Sequence, residues 1–326
     1  MTTKYFEYYI SHGGCRKWSC LEVRAFLEAI ALLLQYVPDV ADFDSPDGDI
    51  IDCVHITKQP AFDHPLLKNH TIQMWPSYHP QGLHLDSKVA SHPFPQTWQQ
   101  NGKCPENTIP IRRTQEEDVL RASSVSCYGK KRPKYIDNNA QSATTGHQGN
   151  NTSYYGTQAT FNLWQPKVEP AEDFSLSQLW ITRFVQTNNK IAIGGSISQL
   201  SPISTYVGPQ YDITILVWKD PKQGNWWLQV GNDVLGYWPS SIFTHLAASA
   251  TTMSEHQRHR WAEGFGKASY IRNIQVVDSS YTLQSPSGLD LFASRPNCYN
   301  VLNGSAGIKF GTYIYYGGPG RNTNCQ

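Results

Sequence analysis

Residues 205–243, TYVGPQYDITILVWKDPKQGNWWLQVGNDVLGYWPSSIF, constrain the fold more than any other stretch. Ile213, Ile215 and Val217 alternate with Thr214, Leu216 and Trp218, a β-branched run that favours a pleated strand. The polar run 219–225 carries Pro221 and Gly224 and predicts a turn. Residues 226–230 (WWLQV) predict a second strand, Gly231-Asn232-Asp233 a second turn, and residues 234–238 (VLGYW) a third strand. Short loops between such strands mean an antiparallel meander. Trp218, Trp226, Trp227 and Trp238 carry too much apolar area for one solvated hairpin. A second sheet must cover them, so the expected fold is all-β, an antiparallel β-sandwich of two facing sheets.

The rest of the composition agrees. Charged residues are sparse at 16% and aromatics reach 12%, which with 20 Pro and 24 Gly favours many short strands over long helices. Only residues 25–37 (AFLEAIALLLQYV) read as a helix of any length, and that run carries Glu28 and is too short to span a bilayer. A net charge of +1 gives no footprint for nucleic acid or an anionic membrane, and neither is expected as a partner. The first 21 residues lack the pattern of a signal peptide. The apolar run comes late and ends without an A-x-A site; a short amphipathic helix is the other reading.

Seven cysteines (Cys15, Cys20, Cys53, Cys104, Cys127, Cys298, Cys325) include no C-x-x-C pair, so no zinc ribbon or thioredoxin motif is supported. Their wide spacing fits disulfides of an oxidising compartment, with reduced buried thiols as the alternative. Cys298 and Cys325 flank the last predicted strand, so pairing them would staple the C-terminal segment. Glycosylation triplets stand at Asn69, Asn150, Asn151 and Asn303 and point the same way. No metal site or cofactor is expected. Asp39, Asp42, Asp44, Asp47, Asp49 and Asp52 lack calcium-loop spacing and read as a solvated turn. His55, His64, His70, His79, His84 and His92 lack metal-ligand spacing.

Organisation follows composition. Residues 1–44 are an atypical start. Residues 45–125 are rich in Pro and His and poor in apolar residues, too poor for a large core of their own. Residues 126–153 are polar, open with the basic run 130–134 (KKRPK), and read as a linker. Strand patterns then fill residues 154–326.

The meander strongly resembles the neprosin-like family of plant proteins. So do residues 154–180 (YYGTQATFNLWQPKVEPAEDFSLSQLW), 263–278 (EGFGKASYIRNIQVVD) and the ending YIYYGGPGRNTNCQ. Residues 45–77 (SPDGDIIDCVHITKQPAFDHPLLKNHTIQMWPS) and 101–125 (NGKCPENTIPIRRTQEEDVLRASSV) resemble the family's activation-peptide region. The resemblance implies a secreted glutamic peptidase that cleaves peptides or proline-rich proteins after proline. It also implies a propeptide with little regular structure, in which Cys53 pairs with Cys104.

A glutamic peptidase needs two carboxyl groups, one ionised to take a proton from water and one neutral to protonate the leaving amine. In the family these glutamates lie in E-A-G-W and W-G-G-E-V patterns, and neither is present. After Trp180-Ile181 the chain passes straight to residues 183–188 (RFVQTN), and residues 246–260 run into Trp261-Ala262-Glu263. Whole segments are missing, as from skipped exons or a decayed gene copy, so no catalytic residue is assigned. Glu169, Glu172, Glu255, Glu263, Asp173, Asp212, Asp220, Asp233, Asp278 and Asp290 survive as acids that a replacement pair would have to use. Asp220 and Asp233 read as solvated turn residues. Trp180, Trp226, Trp227, Tyr237 and Trp238 are candidates to line a peptide groove, with the core as their alternative place. The function expected is an inactive homologue of the peptidase. A sandwich that binds cell-wall glycan or proline-rich peptide without cleaving it is a second reading, and an active enzyme with replacement carboxylates a third. Loss of strands after Trp180 also predicts an unpaired edge beside the FSLSQLW strand and low stability.

Overall fold

A computed structural model describes residues 41–46, 48–82, 97–113, 115, 143–148, 153–164, 177–183, 190–195, 202–257, 264–293, 300–306 and 310–317. The expected helix at 25–37, the pair Cys298 and Cys325, and Asn150 and Asn151 lie outside the described residues. In chain order the strands are β1 (Ala41–Asp44), β2 (Ile50–His55), β3 (Thr108–Arg112), β4 (Ala143–Gln148), β5 (Gly156–Asn162) and β6 (Ser177–Thr182). They continue with β7 (Lys190–Gly195), β8 (Asp212–Lys219), β9 (Trp226–Val230), β10 (Asp233–Trp238) and β11 (Thr252–Gln257). The last are β12 (Ser269–Val277), β13 (Leu283–Gln284), β14 (Asp290–Ala293), β15 (Asn300–Ala306) and β16 (Gly311–Gly317).

These strands form an antiparallel β-sandwich preceded by a small sheet. One face of the sandwich is an eight-stranded sheet in the order β10-β9-β8-β5-β12-β16-β15, with β13 beside β12. The other is a five-stranded sheet in the order β14-β4-β11-β6-β7. The predicted meander is β8-β9-β10, with Trp218 opposite Trp227 and Trp227 opposite Tyr237. Gly231, at φ +58, makes its second turn in a conformation that side chains disfavour. Alternation turns Ile213, Ile215 and Val217 inward to meet Leu179 and Ile181 of β6 and Met253 of β11.

The unpaired edge expected beside the FSLSQLW strand is not there. All six residues of β6 pair with β11 on one side and β7 on the other. The far edge of β11, on the side away from β6, is covered from an unexpected source. Residues 143–148, inside the stretch read as a linker, form β4 and pair with β11 and β14. A free sheet edge is a strong template, and it drafts a polar segment of weak intrinsic preference into a strand.

The small sheet β1-β2-β3 is held by the Cys53–Cys104 disulfide, with Cα atoms 5.4 Å apart. Short 3-10 turns follow β2 at Ile56–Lys58, Pro60–Asp63 and Pro65–Leu67. His55 and His64 cap two of them by accepting from the Thr57 and Leu66 amides. Phe43 stacks on buried Trp98, and a Cβ on Gly102 would come within 2.3 Å of the Phe43 ring.

The acidic run is not wholly a solvated turn. Asp49 and Asp52 are buried, and Asp52 is only 1% exposed. Arg113 Nη2 meets Asp52 Oδ1 at 2.6 Å and Asp42 Oδ2 at 2.9 Å, and Arg112 Nε meets Asp49 Oδ1 at 2.6 Å. The arginines come from β3 and the residue after it, so pairing of β2 with β3 brings the opposite charges together. Buried carboxylates need such partners.

Candidate functional site

The period-two alternation of the meander decides which aromatics share a face. Trp226 and Trp238 point into the sandwich core. Trp227 and Tyr237 point to the opposite, outer face, where Trp218 and Leu216 of β8 join them. On β6, Leu179 and Ile181 face the core, so Trp180 between them lies on the outer side of the five-stranded sheet. The five candidate groove aromatics therefore occupy three surfaces and do not line one groove.

The outer face of the eight-stranded sheet is not bare. Residues 70–82 cross it without regular secondary structure, with bends at Trp75 and Ser77. Tyr237 Oη accepts the Gln73 amide at 2.8 Å and lies 2.7 Å from His70 Nε2. With Gln73 donating to it, the phenol is best satisfied by giving its own proton to a neutral His70. Burial favours that neutral form, pushing the His70 pKa below its ordinary value. Trp218 Nε1 donates to the Tyr78 carbonyl at 2.8 Å, and the His79 ring packs 4.6 Å from the Trp218 ring. Tyr78 meets Tyr281 edge-on, and the Leu283 amide donates to the Gln81 carbonyl at 2.9 Å.

Asp220 is the hub of this contact. Expected to be a solvated turn residue, it is 0% exposed. Its Oδ2 accepts the Ser77 amide at 2.5 Å and Gln73 Nε2 at 3.2 Å, and its Oδ1 accepts Ser77 Oγ at 2.6 Å. Oδ1 also takes the amides of Lys222 and Gln223, a local turn typical of aspartate. Asn225 Nδ2 donates to Gln73 Oε1 at 2.8 Å, completing a polar cluster buried between the two regions. Burial alone would raise the Asp220 pKa. The Ser77 hydroxyl and amide, with the Gln223 and Lys222 amides, outweigh it and hold the carboxyl below its ordinary value. Lys219 is also buried, donates to the Gly224 carbonyl at 2.5 Å and lies over the Trp226 ring. Its pKa is lowered by burial, against the pull of Asp220.

Tyr237→Phe removes the acceptor of the Gln73 amide and the partner of His70 while keeping the ring. It is expected to cost about 2 kcal/mol in urea unfolding. A loss within error of zero would mean that the phenol does not hold residues 70–82.

The other described acids serve separate structures. Asp212 pairs with Arg272 Nε at 2.7 Å and accepts from Tyr270 Oη at 2.8 Å. Burial and that carboxylate together push the Tyr270 pKa well above its ordinary value. Asp278 caps its own turn by accepting the Ser280 and Thr282 amides. Asp233 and Asp290 are exposed, Asp233 as expected of a turn. Glu255 sits in β11 opposite Leu179 and Thr145. Glu169, Glu172, Asp173 and Glu263 lie outside the described residues. The glycosylation triplets at Asn69 and Asn303 are exposed.

Sequence reasoning missed Gln73, Ser77, Asp220 and Asn225. The one available signal was a burial mismatch: Trp218, Trp227 and Tyr237 alternate away from the core and needed a cover of their own. Among the described residues, no helix is long and apolar enough to cross a membrane. Comparison with known families places both regions. The neprosin activation peptide model matches residues 42–158, and the neprosin domain model matches residues 134–319.

Proposed function

This chain belongs to the neprosin family, and on that premise we propose that it is a post-proline glutamic peptidase homologue that has lost both catalytic carboxyl groups. The reading is of a secreted protein, with Asn69 and Asn303 as its exposed glycan acceptors. The observation that carries the proposal is the connection in the five-stranded sheet. β6 ends at Thr182 and β7 begins at Lys190, and the two pair directly. That short link has no room for the further strands on which the family resemblance places the first glutamate. On the same reading the W-G-G-E-V pattern of the second acid is absent from residues 246–260, between β10 and β12. The carboxylates with assigned partners do not substitute. Asp212 is committed to Arg272, Asp220 to Ser77, and Asp49 and Asp52 to arginines. A general acid and base must converge on one bond and hold different protonation states.

The test is direct. The purified chain is incubated at acidic pH with proline-containing peptides and the mixture followed by mass spectrometry. The expected result is intact peptide. Cleavage on the carboxyl side of proline would overturn the proposal and point to replacement carboxylates. A binding role without cleavage is the second reading. It is favoured by the proline-containing segment that already lies on the aromatic outer face.

A further inference from the structure

We infer that the outer aromatic face of the eight-stranded sheet is a peptide-recognition site. Its ligand is a proline-containing segment of another protein with the pattern Gln-x-x-Pro-Ser-Tyr-x-Pro. Residues 73–80 of this chain, QMWPSYHP, are that ligand in cis. The inference does not depend on whether the chain cleaves peptides.

The contacts divide as in a site that reads a peptide. Three are to main chain and hold a segment whatever its side chains: the Gln73 amide on Tyr237 Oη, the Ser77 amide on Asp220 Oδ2 and the Tyr78 carbonyl on Trp218 Nε1. Two side chains carry identity. Ser77 donates its hydroxyl to Asp220 Oδ1. Gln73 donates to the same carboxylate and accepts from Asn225, so its amide group is read in both senses. Met74 and Trp75 are not read, and Trp75 is 72% exposed. Pro80 is buried, and with Pro76 it restricts the free peptide and reduces the ordering cost of binding.

The receiving side is a built site. Asp220 and Asn225 are buried polar groups that reach Gln73 and Ser77, far away in sequence, and Trp218 and Trp227 are fully buried beside them. Without an occupant this face would present a large aromatic patch, which soluble surfaces seldom leave open. The cis segment also leaves the buried Trp227 Nε1 without a hydrogen-bond partner. Its occupancy is favoured by tethering, which gives an effective concentration of about millimolar order. Weakening the cis segment should therefore open the site to a free peptide.

The experiment uses the full chain carrying Gln73→Ala and Ser77→Ala, which leaves the receiving face intact. A fluorescent peptide of residues 73–80 is titrated and its anisotropy measured. Saturable binding is expected. Adding Asp220→Asn to the chain, or Ser→Ala to the peptide, should weaken it about tenfold or more. Changing Met and Trp of the peptide to Ala should leave it unaltered. No saturable binding, or binding indifferent to Asp220→Asn, overturns the inference. So does a chain that dimerises in gel filtration and ignores the peptide, because a second copy then fills the face. A second measurement decides the matter if the variant does not fold. Excess peptide added to the unaltered chain should raise hydrogen exchange at residues 70–82 by displacing them. Unchanged exchange at millimolar peptide counts against the site.

Discussion

Asp220→Ala is expected to cost the folded chain about 4 kcal/mol and to release residues 70–82 from the sandwich. The carboxylate is fully buried and accepts from the Gln73 side chain, both groups of Ser77, and the amides of Lys222 and Gln223. Alanine offers none of these donors a partner. Gln73 is buried while Ser77, Lys222 and Gln223 are exposed residues, so water meets part of what the carboxylate leaves, and each donor still unmet costs about 1–3 kcal/mol. The remainder lies near the upper end of single-substitution effects. Trp218 and Trp227 lose their cover together, so tryptophan emission should shift to longer wavelength before the sandwich unfolds. Urea titration followed by fluorescence and by far-ultraviolet circular dichroism separates the two events. A loss below about 1 kcal/mol, with unshifted emission, would show that Asp220 is not the clasp.

Replacing Cys53 and Cys104 together by serine is expected to cost the small sheet about 4 kcal/mol. The bond links residues 51 apart, and the chain-entropy estimate for a loop of that length is about 4 kcal/mol. β1, β2 and β3 are short and share few buried apolar residues, chiefly Ile51, Val54, Ile109 and Trp98. Such a core has little reserve against that loss. The double variant should therefore show a lower-temperature transition under conditions where the parent melts once. An unchanged melt, with mass spectrometry confirming the parent's disulfide, would contradict this.

The meander was legible in the sequence, because β8, β9 and β10 combine β-branched alternation with turn residues at both joins. The sandwich followed from the excess of tryptophan. The partition of that tryptophan was harder to see. Trp226 and Trp227 are neighbours in sequence yet lie on opposite faces of one sheet. Grouping them with Tyr237 and Trp238 by proximity overlooked the strand period. Asp220 was illegible for a different reason. Residues 219–225 do form a turn, and the burial comes from Gln73 and Ser77, which are 147 and 143 positions away. β4 escaped notice because its residues acquire strand structure from the edge they pair with. The Cys53–Cys104 bond rested on the family resemblance, since nothing local in the sequence chooses that partner.

The hydrogen bonds of the outer face make its closure depend on pH. Asp220 has a pKa depressed below its ordinary 3.8 in the folded chain. A depressed carboxyl contributes stability that is fully present above the ordinary value and lost as pH falls through the folded value. Partial burial lowers the His70 and His79 pKa values below the ordinary 6.5. As pH falls through 6.5 the released segment binds protons that the docked one refuses, so these groups also favour release in acid. Lys219 faces the same cluster and is not discharged by acid. Both effects have one sign: closure at neutral pH and opening as the solution is acidified, first with the histidines and then with Asp220.

Asp220 clasps residues 70–82 to the sandwich, and hydrogen exchange of the full chain tests this. Protection factors, corrected for intrinsic rates, are measured for the Gln73 and Ser77 amides from neutral pH down through the carboxylate range, with β9 amides as reference. The Gln73 and Ser77 amides should be protected at neutral pH and lose that protection on acidification while β9 stays protected. A Ser77 amide that exchanges freely at neutral pH, or stays protected after Asp220 is protonated, would contradict it.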